Sequence, residues 1–234
     1  MSKGKLYLFP TPLHDEAIHT IPEYVLKQLH QMHTFIAERG KTARRFLKAS
    51  GTPIPMSAIE VLELGKYTTP QEWQYYLTAA EKGENVGLLS EAGCPGVADP
   101  GSEIVKLAYQ KDIEVVPFVG PSSILLALMA SGMNGQEFCF NGYLPPKKGA
   151  LGQALKSLEQ KAKRFQQTQI FIETPYRNQS VVEIALQTLS PNTLLCIACD
   201  LTAPEEWIRT KSITEWKKAT LPDLHKRPAI FLIG

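Results

Sequence analysis

The chain has 234 residues, 44% hydrophobic and 21% charged, enough apolar material for one large core or two smaller ones, which excludes a disordered chain. With 25 basic and 23 acidic side chains the formal net charge is only +2, so there is no global charge signature of a nucleic-acid binder, although a local basic face is compatible with it. The N-terminal apolar run spans only 6–9 before Pro10 and the longest uncharged apolar stretch is 124–130, too short for a signal core or a bilayer crossing, so a cytoplasmic location is expected.

In chain order, the short runs 6–10, 35–38, 59–64, 86–90 and 113–119 are apolar with β-branched or aromatic content and read as strands. Helical segments lie between them. Val25, Leu26, Leu29 and Met32 share one face, and a helix is expected over 70–82 with Thr69 as N-cap and Pro70 at its first position. Such alternation implies a mainly parallel sheet covered on both faces. Near 133–135 the rhythm changes, which sets the expected domains at 1–133 and 134–234. The second part reads as strand 138–144, a Lys-rich helix to about 165, strand 169–173, helix 180–189, then three closely spaced strands at 193–200, 206–213 and 229–233. So little room between strands implies antiparallel pairing and a mixed sheet.

Three loops carry the chemistry. The run 88–102 takes a strand through three glycines and two prolines to a helix start at Ser102. Glycine removes the Cβ and proline fixes the turn, so main-chain groups can approach a ligand. Gly120-Pro121-Ser122-Ser123 repeats the layout after the next strand, and Pro10-Thr11-Pro12 follows the first. Loops of this kind at the carboxyl edge of a parallel sheet define a ligand crevice. No G-x-G-x-x-G follows the first strand and no G-x-x-x-x-G-K-[ST] occurs, which argues against a dinucleotide site or a Walker phosphate cradle. Cys196-x-x-Cys199 falls within an apolar strand and His30-x-x-His33 lacks a third ligand nearby, so no metal is expected. Cys94 and Cys139 likewise read as small hydrophobes, reduced in a cytosolic chain.

Pro10-Thr11-Pro12, Ser90-Glu91-Ala92-Gly93-x-Pro95 with Asp99-Pro100-Gly101, Gly120-Pro121-Ser122, Gly142-Tyr143-Leu144-Pro145-x-Lys147 and Glu173-Thr174-Pro175-x-Arg177 follow in an order and spacing that resemble a known family. That family is the tetrapyrrole methylase superfamily, and the nearest likeness within it is the ribosomal RNA small-subunit 2'-O-methyltransferase I group. The resemblance implies two α/β domains with S-adenosylmethionine in the cleft between them, a homodimer, and RNA or the small ribosomal subunit as substrate. It assigns the donor site to Pro10, Ser90, Glu91, Ala92, Gly93, Gly120, Pro121, Ser122 and Ser123, with Asp200, Leu201, Pro228 and Ala229 around adenine. Two motifs depart from the family: His14-Asp15 stands where Gly-Asn is usual, and the Glu-Asp-Thr-Arg motif is here Glu38-Arg39-Gly40-Lys41. The sequence also ends at Gly234 without the C-terminal extension of many such enzymes.

A ribose acceptor needs a base for its hydroxyl proton, and Glu38, Asp15 and Asp99 are the candidates. Each has another reading: Asp99 shaping a turn before Pro100, Asp15 capping a helix, Glu38 pairing with Arg39 or Arg44. Arg44 and Arg45, with Lys41 and Lys48, form a basic helix face suited to RNA phosphate or simply to solvent, and Lys147 and Arg177 are further substrate-binding candidates. Methylation of a tetrapyrrole or other metabolite, and donor binding without catalysis, remain the alternatives.

Overall fold

The computed structural model describes residues 2–65 and 68–234. The chain divides into two compact units, Met1–Ser122 and Ser123–Gly234. In the first unit β1 (Leu6–Phe9), β2 (Thr34–Ala37), β3 (Glu60–Glu63), β4 (Val86–Leu89) and β5 (Val115–Pro117) form an all-parallel sheet in the order β3-β2-β4-β1-β5. Alternate residues of each strand enter different cores, as the two-residue period of a strand requires. Phe9, Phe35, Ala37 and Leu89 pack with α1 (Glu23–Leu29) and α2 (Gly40–Ala49). On the other face Leu6, Ile36, Val86 and Leu88 meet Leu77, Ala80, Ile104 and Ala108. The parallel, doubly covered sheet expected from the apolar runs is therefore present.

The helix expected over 70–82 is not continuous. It consists of two single turns, α3 (Pro70–Trp73) and α4 (Thr78–Glu81). Thr69 does start the first turn, through a reciprocal capping box with Glu72. The interruption has a tertiary cause: Tyr76 donates its hydroxyl to the Glu63 carbonyl at 2.7 Å and Trp73 donates its indole N–H to Thr68 at 3.0 Å. α5 (Gly101–Gln110) follows β4 and supplies Ile104 and Ala108 to the second face.

The second unit opens with α6 (Ser123–Ser131), followed by β6 (Phe138–Tyr143), α7 (Lys148–Phe165), β7 (Thr168–Ile172), α8 (Asn178–Thr188), β8 (Leu194–Cys199), β9 (Trp207–Ser212), α9 (Ile213–Trp216) and β10 (Ala229–Ile233). Its sheet runs β6-β7-β10-β8-β9, parallel at β6–β7 and antiparallel elsewhere. That is the mixed sheet expected from the close spacing of the last three strands. α6 packs on β8, β9 and β10, and Thr210 donates to the Ser131 carbonyl at 2.8 Å, which places this helix in the second unit. The division thus falls ahead of the change of rhythm near 133. Cys196 and Cys199 are fully buried, and burial pushes the Cys199 thiol up to about 11. No helix among the described residues is long and apolar enough to cross a membrane.

Candidate active site

The winding of the first sheet places the candidate site. β1 and β2 both lead on toward the β3 edge, whereas β4, which lies between them, leads the other way to β5. Right-handed crossovers then put α1 and α2 on one face and α5 on the other, and loops leaving β4 diverge from those of its neighbours. The loops after β1 and β4 are stitched together at this point. Thr11 donates its N–H to the Gly93 carbonyl at 2.9 Å and Gly93 returns one to the Thr11 carbonyl at 3.0 Å. The Ser90 hydroxyl donates to the Gly93 carbonyl at 2.5 Å, and the Thr11 hydroxyl lies 3.2 Å from it.

Two glycines are required by the geometry. Gly93 has φ +80°, in the left-handed region that side chains with a Cβ resist, and a Cβ there would also press on Leu13 at 3.3 Å. Gly120 lets the loop after β5 approach the β1 loop: a Cβ at that position would lie 2.3 Å from the Pro10 Cβ. Of the donor candidates, Pro10, Ser90 to Gly93 and Gly120 to Ser122 thus belong to a set of touching loops in the first unit. In the second unit, Asp200 donates its N–H to the Pro228 carbonyl at 3.0 Å, so Asp200 and Leu201 lie beside Pro228 and Ala229. Asp200 is also ion-paired with Arg227. Ser123 begins α6.

The three candidate bases have different surroundings. Asp99 accepts from the Gly96 and Gly101 N–H groups through one oxygen, at 2.7 and 2.8 Å, and so staples its own loop. Burial raises its carboxyl above the usual range, opposed by those two N–H donors, and the charge of Glu38 adds to the rise. Asp15 is exposed and pairs with Arg45 at 2.9 Å rather than capping a helix, since the helical turn that follows, Ile18–Thr20, starts without a side-chain cap. Glu38 is half-buried just beyond β2 and forms no ion pair among the described residues, with neither Arg39 nor Arg44. Glu91 is also raised, by burial first and by Glu38, against the lowering effect of the Thr42 hydroxyl and Arg39. The charge of Glu38 thus adds to the rise at both Asp99 and Glu91.

A pocket of about 210 Å³ opens at the ends of β1, β2 and β4, with Thr11, Thr42, Phe46, Ser90 and Glu91 among its lining residues. Thr11 and Thr42 were not singled out by sequence reasoning; their only signal was a Pro-Thr-Pro turn and a place within the altered acidic motif. Beside it runs a shallow groove lined by Lys41, Arg44, Arg45 and Lys48. In the second unit the Arg177 guanidinium pairs with the buried Glu173 at 3.0 Å and donates to the Pro145 carbonyl at 3.4 Å, which joins the fourth and fifth motifs. Lys147, the residue before α7, lies in the same Pro145–Lys147 motif and is exposed. Among the described residues no cluster of three or more His, Cys, Asp or Glu side chains is placed to hold a metal; His30 instead lies 3.2 Å from the Ser50 hydroxyl.

A parallel sheet with glycine and proline loops at its carboxyl edge, followed by a mixed α/β unit, is a two-unit α/β architecture that solved structures share. The methyltransferase CobJ is similar with a TM-score of 0.64 at 18% identity, over 99% of this chain and 94% of that one. Uroporphyrin-III-C-methyltransferase from Thermus thermophilus is similar with a TM-score of 0.58 at 19% identity, over 99% and 92%. Residues 25–216 match the tetrapyrrole (corrin/porphyrin) methylases, and the chain belongs to that family of methyltransferases. The relatives it resembles include ribosomal RNA small subunit methyltransferase I of Escherichia coli O157:H7, 29% identical over 92% of this chain and 71% of that protein. The protein of the same name from Mesorhizobium japonicum is 38% identical over 58% of this chain and 45% of its own length.

Proposed function

We propose that this methyltransferase transfers a methyl group from S-adenosylmethionine to a ribose 2'-hydroxyl of small-subunit ribosomal RNA, acting as a cytoplasmic homodimer. The observation that carries the reading is the stitched set of loops at the carboxyl edge of the first sheet, in a chain whose relatives are named for ribosomal RNA methylation. The donor set suits the cofactor. Residues 90–96 and 120–123 offer main-chain groups and serine hydroxyls but no lysine or arginine, which is wrong for a polyphosphate and right for a ligand bearing its own ammonium and carboxylate. Asp200, Leu201, Pro228 and Ala229 would border the adenine. When bound, the donor supplies a methyl already activated on a positive sulfur, so the protein's task is alignment.

The proton of the acceptor hydroxyl needs a carboxylate to receive it. Asp99 is held in its own turn by two N–H groups and Asp15 is paired with Arg45, whereas Glu38 forms no ion pair among the described residues, which favours Glu38 as general base. Arg44, Arg45, Lys147 and Arg177 would hold RNA phosphates. For the dimer, the support is α6, where Leu125 and Met129 lie one turn apart and are half or more exposed. Calorimetry with S-adenosylmethionine and mass spectrometry of small-subunit rRNA from deletion and complemented strains test the reading. It predicts donor binding without added metal and one ribose methyl lost on deletion. Identical rRNA methylation in both strains, with labelled methyl passing instead to a porphyrinoid, overturns it.

A further inference from the structure

Resting on that RNA reading, we propose that the pocket at the ends of β1, β2 and β4 receives one unstacked base of a single-stranded RNA, while the adjoining groove on α2 holds the phosphates beside it. The pocket is about 210 Å³, room for one flat heterocycle but not for a stacked dinucleotide or a tetrapyrrole macrocycle. Its walls are chemically divided. Ile18, Ala43, Phe46 and Ala49 offer apolar surface for a base face, and Thr42 and Glu91 place polar atoms at the edge, the pattern by which single-stranded bases are stacked and read.

The groove is the second, independent observation. It is open, about 590 Å³, and lined by Lys41, Arg44, Arg45 and Lys48. Thr42 and Arg45 line both spaces, so a backbone lying in the groove passes the pocket mouth. Among the described residues Lys41 and Lys48 form no ion pair, which leaves both charges for phosphate. The pocket is also lined by Ser90 and Glu91, two residues of the loop assigned above to the donor. A base seated there would bring its own ribose toward that loop. Extruding a base costs a few kcal/mol from a duplex and least from a single strand, so the arrangement selects unpaired RNA.

The test uses the full chain and a short uridine-rich RNA in which every uridine is 4-thiouridine, by photocrosslinking with peptide mapping and by anisotropy across a salt series. The expected adduct lies within 11–18, 40–49 or 90–91. Replacing Lys41 and Lys48 together by alanine should flatten the slope of log affinity against log salt by about 1.4, at roughly 0.7 per single-strand phosphate contact. Ala49→Trp, at an exposed position lining the pocket, should remove the adduct while keeping that slope, and His14→Trp, in the loop after β1 that also lines it, should do the same. An adduct that maps elsewhere, one that survives both tryptophans, or a slope indifferent to the two lysines overturns the assignment. Should the strains show ribose methylation while the adduct maps elsewhere, only the pocket assignment falls; absent methylation overturns the RNA reading itself.

Discussion

Gly120→Ala is a single methyl placed where two loops meet. The new Cβ would lie 2.3 Å from the Pro10 Cβ and 2.7 Å from its Cγ, against an optimum of about 3.5–4.0 Å for carbon pairs. A proline ring cannot swing aside, so one loop must move by roughly 1 Å or more. Overpacking of this kind costs about 1–3 kcal/mol. Gly149→Ala is the matched control: nothing lies within 4 Å of its added Cβ, it sits in α7, and the change should stabilise by about 0.5–1 kcal/mol. The same chemical substitution is thus expected to have opposite signs at the two positions. Hydrogen exchange read by peptide mass spectrometry separates them, since Gly120→Ala should lower protection in the segments around β1 and β5 and Gly149→Ala should raise it along α7. Calorimetry on the first variant should also show weakened S-adenosylmethionine affinity. Unchanged protection around β1 and β5 together with unchanged donor affinity would refute the reasoning, because it would mean the loops are not in contact.

Three further outcomes follow from the charges. Asp99 has a raised carboxyl pKa, so its ionisation costs stability as pH climbs through the interval between the unfolded and the higher folded value; Asp99→Asn should gain on the parent from acid to neutral pH in parallel denaturation curves, its amide oxygen still able to accept from Gly96 and Gly101. Glu159 behaves in the opposite sense: burial would raise it, but Thr193, the Ser190 N–H and hydroxyl, and Lys163 together hold it low. Its stabilisation is present above the unfolded pKa and lost as pH falls through the folded one, so Glu159→Ala should cost about 1–3 kcal/mol near neutrality and progressively less in acid. The exposed pair of Asp15 with Arg45 should matter little to stability, and Asp15→Asn should change urea unfolding by no more than about 1 kcal/mol.

Those parts of the fold that follow from local pattern were readable in the sequence. The first-unit strands stand out as short apolar runs because both sheet faces are covered, and the glycine and proline loops after β1, β4 and β5 mark the carboxyl edge. What escaped depends on partners distant in sequence. Nothing local at 70–82 discloses that Tyr76 and Trp73 are drawn toward Glu63 and Thr68, so the helical pattern hides a break. The apolar α6 reads as the close of the first part until β8, β9 and β10 are seen beneath it. The pocket was illegible for a topological reason: Ile18, Thr42 and Glu91 come together only because β4 lies between β2 and β1. The Asp99-Pro100 turn was foreseen as an alternative, whereas the partnership of Asp15 with Arg45 was not.

The paired hydrogen bonds between Thr11 and Gly93 bear on how such a protein can be altered. Loops at a sheet edge usually vary independently, one lengthening while its neighbour stays. Here a residue inserted between β1 and Thr11, or between β4 and Gly93, would put the bridge out of register unless the other loop changed by a matching amount. Natural variants of this chain should accordingly show covarying lengths at these two loops, and transplanting either one into another scaffold should require transplanting both.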